Sequence, residues 1–325
     1  MVPPKESEMP RSLTMSVTLW LALWWQVTAA RCDEPEPRPA PAPATGETEP
    51  EEPFLRLARD ANGRPMALQT AIARFEAEDA KREGLVVDLI GVIHVGETEY
   101  FETLNHEFEQ YDSLLYELVA PEDVRPKQGD RSEHPVAKLQ TGMKSLLALD
   151  FQLDDIDYGK PNFVHADMSP DDFAKSMASR GESIWTILAR LMEQAMTQQA
   201  KQGDGSAEAK LFAGLFSNNR SLKMKRLLAE QFEDMDGAMA VFNGPEGSTL
   251  VTERNKKALS VLRREIGDGK KRLGIFYGAA HMDDMSQRLA ADFNLARKQT
   301  RWLTAWDLRS KSAKKKAQSP LKPST

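Results

Sequence analysis

The strongest constraint on this chain is a set of aliphatic runs, too short for membrane helices and too continuous for half-exposed strands. Leu85–Ile93 is nearly unbroken aliphatic sequence, as a strand covered on both faces requires. Ser113–Val119 and Arg272–Tyr277 read the same way, and Phe163–Asp167 reads as a further strand. Helical periodicity lies between them. In Glu97–Tyr111, Phe101, Leu104, Phe108 and Tyr111 fall on one face. Leu250–Ile266, closed by Gly267, and Met282–Phe293 are further helices. Met66–Glu76 alternates apolar and polar residues, and Thr300–Leu308 reads as a last strand. Strands alternating with helices predict an α/β fold: a mixed, largely parallel sheet with flanking helices. Residues 170–242 read as helical throughout, so a helical insertion or lid is expected over about 170–245.

The foldable part is bounded near Phe54 and Leu308, giving an expected domain over residues 54–310. Before it, residues 12–30 carry no charge and follow Lys5 and Arg11. Their core, Leu19–Trp25, is apolar, and Thr28-Ala29-Ala30 offers a small-residue cleavage site. Residues 1–30 therefore read as a secretory signal or, if uncleaved, a membrane anchor. The expected location is exported: periplasmic, cell-envelope or secreted. Residues 33–53 hold seven prolines and seven acids against Arg38 alone. Such a chain cannot bury enough apolar surface to fold, so 31–53 is a spacer. Residues 311–325 hold five lysines and no acid, a basic tail. Residues 33–53 alone sum to −6, the formal net charge of the whole chain, and no basic face points to nucleic acid. With Cys32 as the one cysteine, no internal disulfide or Cys-x-x-Cys redox pair can form.

Two Gly-x-x-His segments close aliphatic strands: Gly91–His94 and Gly278–His281. Ligands of open α/β sheets bind beyond the carboxyl ends of strands, so both histidines fall where a site is expected. Imidazole is a common transition-metal ligand, and the glycines permit close backbone approach. Glu117 sits inside the apolar run Leu114–Val119, where a carboxylate needs a pair or a cation. His94, His281 and Glu117 together make an expected metal set with open positions. Arg254 shares the phase of the buried stripe Val251, Ala258 and Val261. It either pairs with Glu117 or another carboxylate, or faces the site to hold a substrate carboxylate or a developing oxyanion. Glu253 is a candidate general base or an exposed helix acid. His165 and Asp167 end a strand; Asp167 either orients a ligand histidine or serves the following helix N-terminus. His106 and His134 read as surface or helix residues. No Gly-x-Ser-x-Gly elbow, P-loop or dinucleotide fingerprint is present.

In order, Gly-Val-Ile-His-Val-Gly, a strand ending Tyr-Glu-Leu, Glu-Arg-Asn and Tyr-Gly-Ala-Ala-His resemble the TraB/PrgY/GumN/TIKI family, over roughly residues 85–120 and 248–308. The resemblance implies a paired-repeat α/β fold whose two Gly-x-x-His motifs meet a glutamate and an arginine. It matches His94, His281 and Glu117 to metal-site residues and Arg254 to the arginine, with Glu253 beside it. Animal members of the TIKI branch are divalent-metal-dependent proteases that trim a secreted signalling protein; bacterial members limit a peptide pheromone. The expectation is thus an exported hydrolase, a metallopeptidase of peptide or protein substrates. Its divalent metal is expected to be Mn, with Co or Zn as alternatives, since the mixed donor set selects weakly. The competing expectation is a non-catalytic peptide-binding or regulatory protein of the same fold.

Overall fold

The computed structural model describes residues 52–79, 82–126, 147–183, 185–186, 219–233 and 247–310. The expected signal segment, most of the spacer, the lysine tail and His134 lie outside the described residues.

Seven strands form the main sheet: β1 (Leu55–Arg59), β2 (Pro65–Ala77), β3 (Val86–Val92), β5 (Ser113–Tyr116), β7 (Phe163–His165), β8 (Arg272–Gly278) and β9 (Leu295–Asp307). Their order is β1-β2-β3-β8-β5-β7, with β9 also paired to β2. The centre, β3-β8-β5-β7, is parallel throughout. β2 pairs antiparallel with β1, β3 and β9. A separate two-residue bridge joins β4 (Val95–Gly96) to β6 (Asp150–Phe151).

Both faces of the parallel centre are covered, which explains its unbroken aliphatic runs. One layer takes Ile90, Val92, Leu114 and Phe276 against Phe101, Leu104 and Phe108 of α1 (Thr98–Glu107) and the turn after it. The other takes Val87, Leu89, Leu115 and Ile275 against two helices. These are α5 (Arg254–Gly267), through Ala258 and Leu262, and α6 (Met282–Phe293), through Met285 and Leu289. Between β6 and β7 lies the short α2 (Gln152–Asp155).

The mixed, largely parallel α/β reading therefore holds, with differences at the element ends. Ser113–Val119 pairs only as far as Tyr116, and Phe163–Asp167 only as far as His165. Glu117 and Asp167 thus lie beyond the strand ends, not within them. The last strand starts at Leu295 instead of Thr300, because its polar residues Arg297 and Gln299 still pair along β2, on either side of an irregularity at Lys298. β1 was not expected; with Arg56 and Arg59 among its five residues and only Leu57 buried, it carries no aliphatic run. Helix α5 is entered through a π turn, Thr249–Glu253. Gly267 is its last residue rather than its stop, and Gly269, at φ +86, takes the left-handed position.

Helix 170–242 is not continuous. It breaks at residues 181–183; helix is described as α3 (Pro170–Ser179), at residues 185–186 and as α4 (Arg220–Glu233). Ser169 caps α3 by accepting from Asp172 N, and Gly181 at φ +63 follows its end. Most of the remaining expected insertion lies outside the described residues.

Candidate functional site

Four parallel strands end side by side, and each is followed closely by one polar residue. The register sets Val92 beside Gly278, and Tyr116 beside both Phe276 and His165. His94 and His281 come three residues after Gly91 and Gly278, Glu117 directly after β5, and Asp167 two residues after β7. All four stand at the carboxyl rim, where open α/β sheets bind ligands.

Gly278 shows how closely they converge. A Cβ on it would lie 3.3 Å from Glu117 Oε2, 3.6 Å from His94 Nε2 and 3.7 Å from His281 Cδ2. One methyl-sized volume thus touches both histidines and the carboxylate. Gly91 is not equivalent. Its Cβ would meet Ala71 O, Met282 Cγ and Ala279 Cα at 3.5–3.6 Å. It serves packing of the sheet on α6, not the site.

Arg254 is the hub. Its Nε donates to Asp167 Oδ1 at 2.9 Å, and its Nη2 to Asp167 Oδ2 at 2.5 Å and Glu117 Oε1 at 2.7 Å. Its Nη1 donates to Leu250 O at 3.4 Å and faces His281 Nε2 at 3.3 Å. Of the two expectations for this arginine, pairing with carboxylates is the one seen. Asp167, fully buried, orients Arg254 and not a histidine. Glu117 Oε2 accepts from Gly278 N at 2.7 Å, so both carboxylate oxygens are held.

Asn255 fixes His281. Its Nδ2 donates to His281 O at 3.0 Å and to Asp284 Oδ2 at 2.8 Å, both obligate acceptors. Its Oδ1 therefore faces His281 Nδ1, at 2.7 Å, and that nitrogen must donate. Nε2 of the neutral ring is then the lone-pair nitrogen. Tyr277 packs edge-on against His281 and donates its hydroxyl to Ala166 O at 2.6 Å. On the other side, His94 Nδ1 meets Gln152 Oε1 at 2.8 Å, and Gln152 Nε2 donates to Tyr158 Oη at 2.8 Å.

Electrostatics follow from burial and this pairing. Burial pulls the His281 imidazole down to about 4, so it is neutral at pH 7. Burial alone would raise the Glu117 carboxyl; Arg254, the imidazoles and the Gly278 N–H outweigh it and hold Glu117 well below the usual carboxylate range. Burial likewise raises the Tyr277 and Tyr158 hydroxyls, which keep their protons.

Two other expected residues are placed elsewhere. The Glu253 carboxylate faces Lys256 Nζ at 2.8 Å and Arg180 Nη1 at 3.5 Å, and shares no hydrogen bond with His94, His281 or Glu117. His165 points to the other sheet face, against Tyr116, and its Nε2 lies 2.6 Å from Leu118 O. It tethers the loop after β5. His106 is exposed on α1. Asn255, Gln152, Tyr158 and Tyr277 were not expected in the site. Asn255 and Tyr277 belong to the quoted Glu-Arg-Asn and Tyr-Gly-Ala-Ala-His motifs and could have been found there. Gln152 and Tyr158 carry no local signal.

Among the described residues, no group of three or more His, Cys, Asp or Glu side chains stands ready-made around a metal position. Arg254 Nη1 explains this in part, since it takes the His281 lone pair. The donor set still fits a divalent cation on two counts. Glu117 and Asp167, two acids, share the one guanidinium of Arg254. The Gly278 cradle is lined by His94 Nε2 and Glu117 Oε2. No family model, curated protein or solved structure matches the chain.

Proposed function

We propose that this rim is a divalent-metal-dependent hydrolytic centre of an exported protein, acting on a peptide or protein. The observation that carries the reading is the convergence of His94, His281 and Glu117 on the volume beside Gly278. The motif resemblance to the TraB/PrgY/GumN/TIKI family points the same way. His94 Nε2, His281 Nε2 and Glu117 would hold the cation, with Mn as first choice and Co or Zn as alternatives. A divalent cation there supplies Lewis-acid polarisation of a carbonyl and acidifies water.

The chain's own residues have separable tasks. Asn255 presents His281 in the form whose Nε2 can act as a ligand. Arg254 keeps Glu117 ionised and aimed; with its donors committed, it is a positioning group rather than the oxyanion partner expected from sequence. Glu117, held strongly acidic, acts as charge and ligand and is a poor proton acceptor. Glu253 belongs to a neighbouring ion pair and takes no step in this account.

One observation favours the competing reading, a peptide-binding protein without catalysis. Arg254 Nη1 occupies the His281 lone pair, so the rim is satisfied as an ion-pair hub. Metal analysis of the purified full chain separates the two, alongside His94→Ala, His281→Ala and a peptide-library cleavage profile. The hydrolase reading expects near-equimolar metal, lost in both variants together with cleavage. Metal-free protein that still binds peptide contradicts it.

A further inference from the structure

We infer that Gln152 is the positioning residue that sets which nitrogen of His94 faces the site, an inference that rests on the metal-centre reading. The short bridge between β4 and β6 pairs Val95 with Phe151 and so brings Gln152 opposite His94. Two contacts result. Gln152 N donates to His94 O at 2.9 Å, which holds the backbone. The Gln152 side chain meets the ring, its Oε1 lying 2.8 Å from Nδ1.

These contacts divide the labour. The backbone bond fixes where the loop runs and is independent of the side chain at 152. The carboxamide fixes the proton on the ring. With Oε1 toward Nδ1, the ring must donate there, and Nε2 carries the lone pair. That Nε2 is the atom beside the Gly278 cradle. The carboxamide is held at its outer end by Tyr158 Oη, which accepts from its Nε2, and the residue is only 4% exposed. A ligand histidine needs such a partner on its far nitrogen.

The arrangement repeats across the site. Asn255 does for His281 what Gln152 does for His94: each is a carboxamide whose oxygen takes Nδ1 and whose NH2 is anchored elsewhere. The clamps differ in strength. Asn255 is locked by a carbonyl and a carboxylate, which can only accept. Gln152 is locked by a hydroxyl, which can also donate. The Gln152 clamp is therefore the weaker of the two, and the His94 tautomer is the one that responds most to its loss.

The test is long-range proton–nitrogen NMR of the imidazole rings in the nitrogen-labelled full chain, kept metal-free at mildly alkaline pH. The expected result is His94 protonated on Nδ1 in the unaltered chain and in Gln152→Glu, which keeps an acceptor oxygen. In Gln152→Leu, His94 becomes a mixture or protonates on Nε2. A second readout is Mn²⁺ affinity by titration, weakened about 10- to 100-fold in Gln152→Leu and restored to within a few-fold in Gln152→Glu. Where Gln152→Leu does not fold, Tyr158→Phe releases the outer end of the clamp and is expected to mix the tautomers. Protonation of His94 on Nε2 in the unaltered chain, or on Nδ1 alone in the variant that lacks the clamp, overturns the proposal. Correct tautomers in a chain that binds no Mn²⁺ support the positioning role and sink the metal-centre reading instead.

Discussion

Replacing Arg254 with methionine removes the one cation between two carboxylates while keeping an unbranched apolar stem. Asp167 has no exposed side-chain surface and Glu117 only 10%. Three charged hydrogen bonds go with the guanidinium. Leaving one side of a buried pair unpartnered costs about 3–5 kcal/mol. Protonation caps this cost, since a stranded carboxyl with a reference pKa near 4 takes up a proton at pH 7 for about 4 kcal/mol. That cap falls by about 1.4 kcal/mol per unit of pH. In the variant the folded carboxyls bind more protons than the unfolded chain does, so its stability penalty shrinks as pH falls. Urea unfolding at pH 7 and pH 5, beside the unaltered chain, measures both quantities. We expect a loss of about 3–5 kcal/mol at pH 7 and clearly less at pH 5. A loss under about 1 kcal/mol, the range of an exposed pair, or an equal loss at both pH values, would refute the buried-hub reasoning.

Three further outcomes follow from the same geometry. Gly278→Ala places a methyl against Glu117, His94 and His281 at φ −51, which any residue adopts; Mn²⁺ binding is expected to fall at least tenfold with little change in thermal midpoint. Gly91→Ala meets only ordinary contacts and is expected to leave Mn²⁺ binding intact; a reversed pattern would misplace the site. His281, pulled by burial to about 4, refuses a proton that the unfolded chain accepts below its ordinary value of 6.5. Stability should therefore fall as pH drops from about 6.5 toward 4, by up to about 3 kcal/mol, and Glu117 adds a further loss below its unfolded value. His281→Ala should flatten the first slope in a urea-midpoint series, and an unchanged slope counts against the assignment. Glu253→Gln, finally, is expected to leave metal affinity within about twofold, since its contacts are Arg180 and partly exposed Lys256; a large loss would restore it to the site.

The parallel centre of the sheet was legible because β3, β5 and β8 are buried on both faces and so show up as runs rather than alternations. Arg254 was legible for a related reason: a guanidinium in phase with Val251, Ala258 and Val261 demands a buried partner. What it pairs with was not decidable until β5 and β7 were placed side by side. Gln152 could not be read at all. Its meeting with His94, 58 positions away, depends on a two-residue bridge that leaves no pattern in the sequence. The inequality of the two glycines was hidden as well. Gly91 and Gly278 occupy the same place in the motif, yet register offsets them by one residue, Gly91 pairing with Tyr277 and Gly278 with Val92. The sheet therefore turns one toward α6 and the other toward the histidines.

Electron spin-echo modulation of Mn²⁺ added to the full chain tests most directly whether both histidines serve one cation. Two imidazole nitrogens are expected to modulate the echo in the unaltered chain, and that modulation is expected to vanish in His94→Ala and in His281→Ala, which no longer hold the ion. A spectrum with water ligands alone, or one unaffected by either substitution, would contradict it.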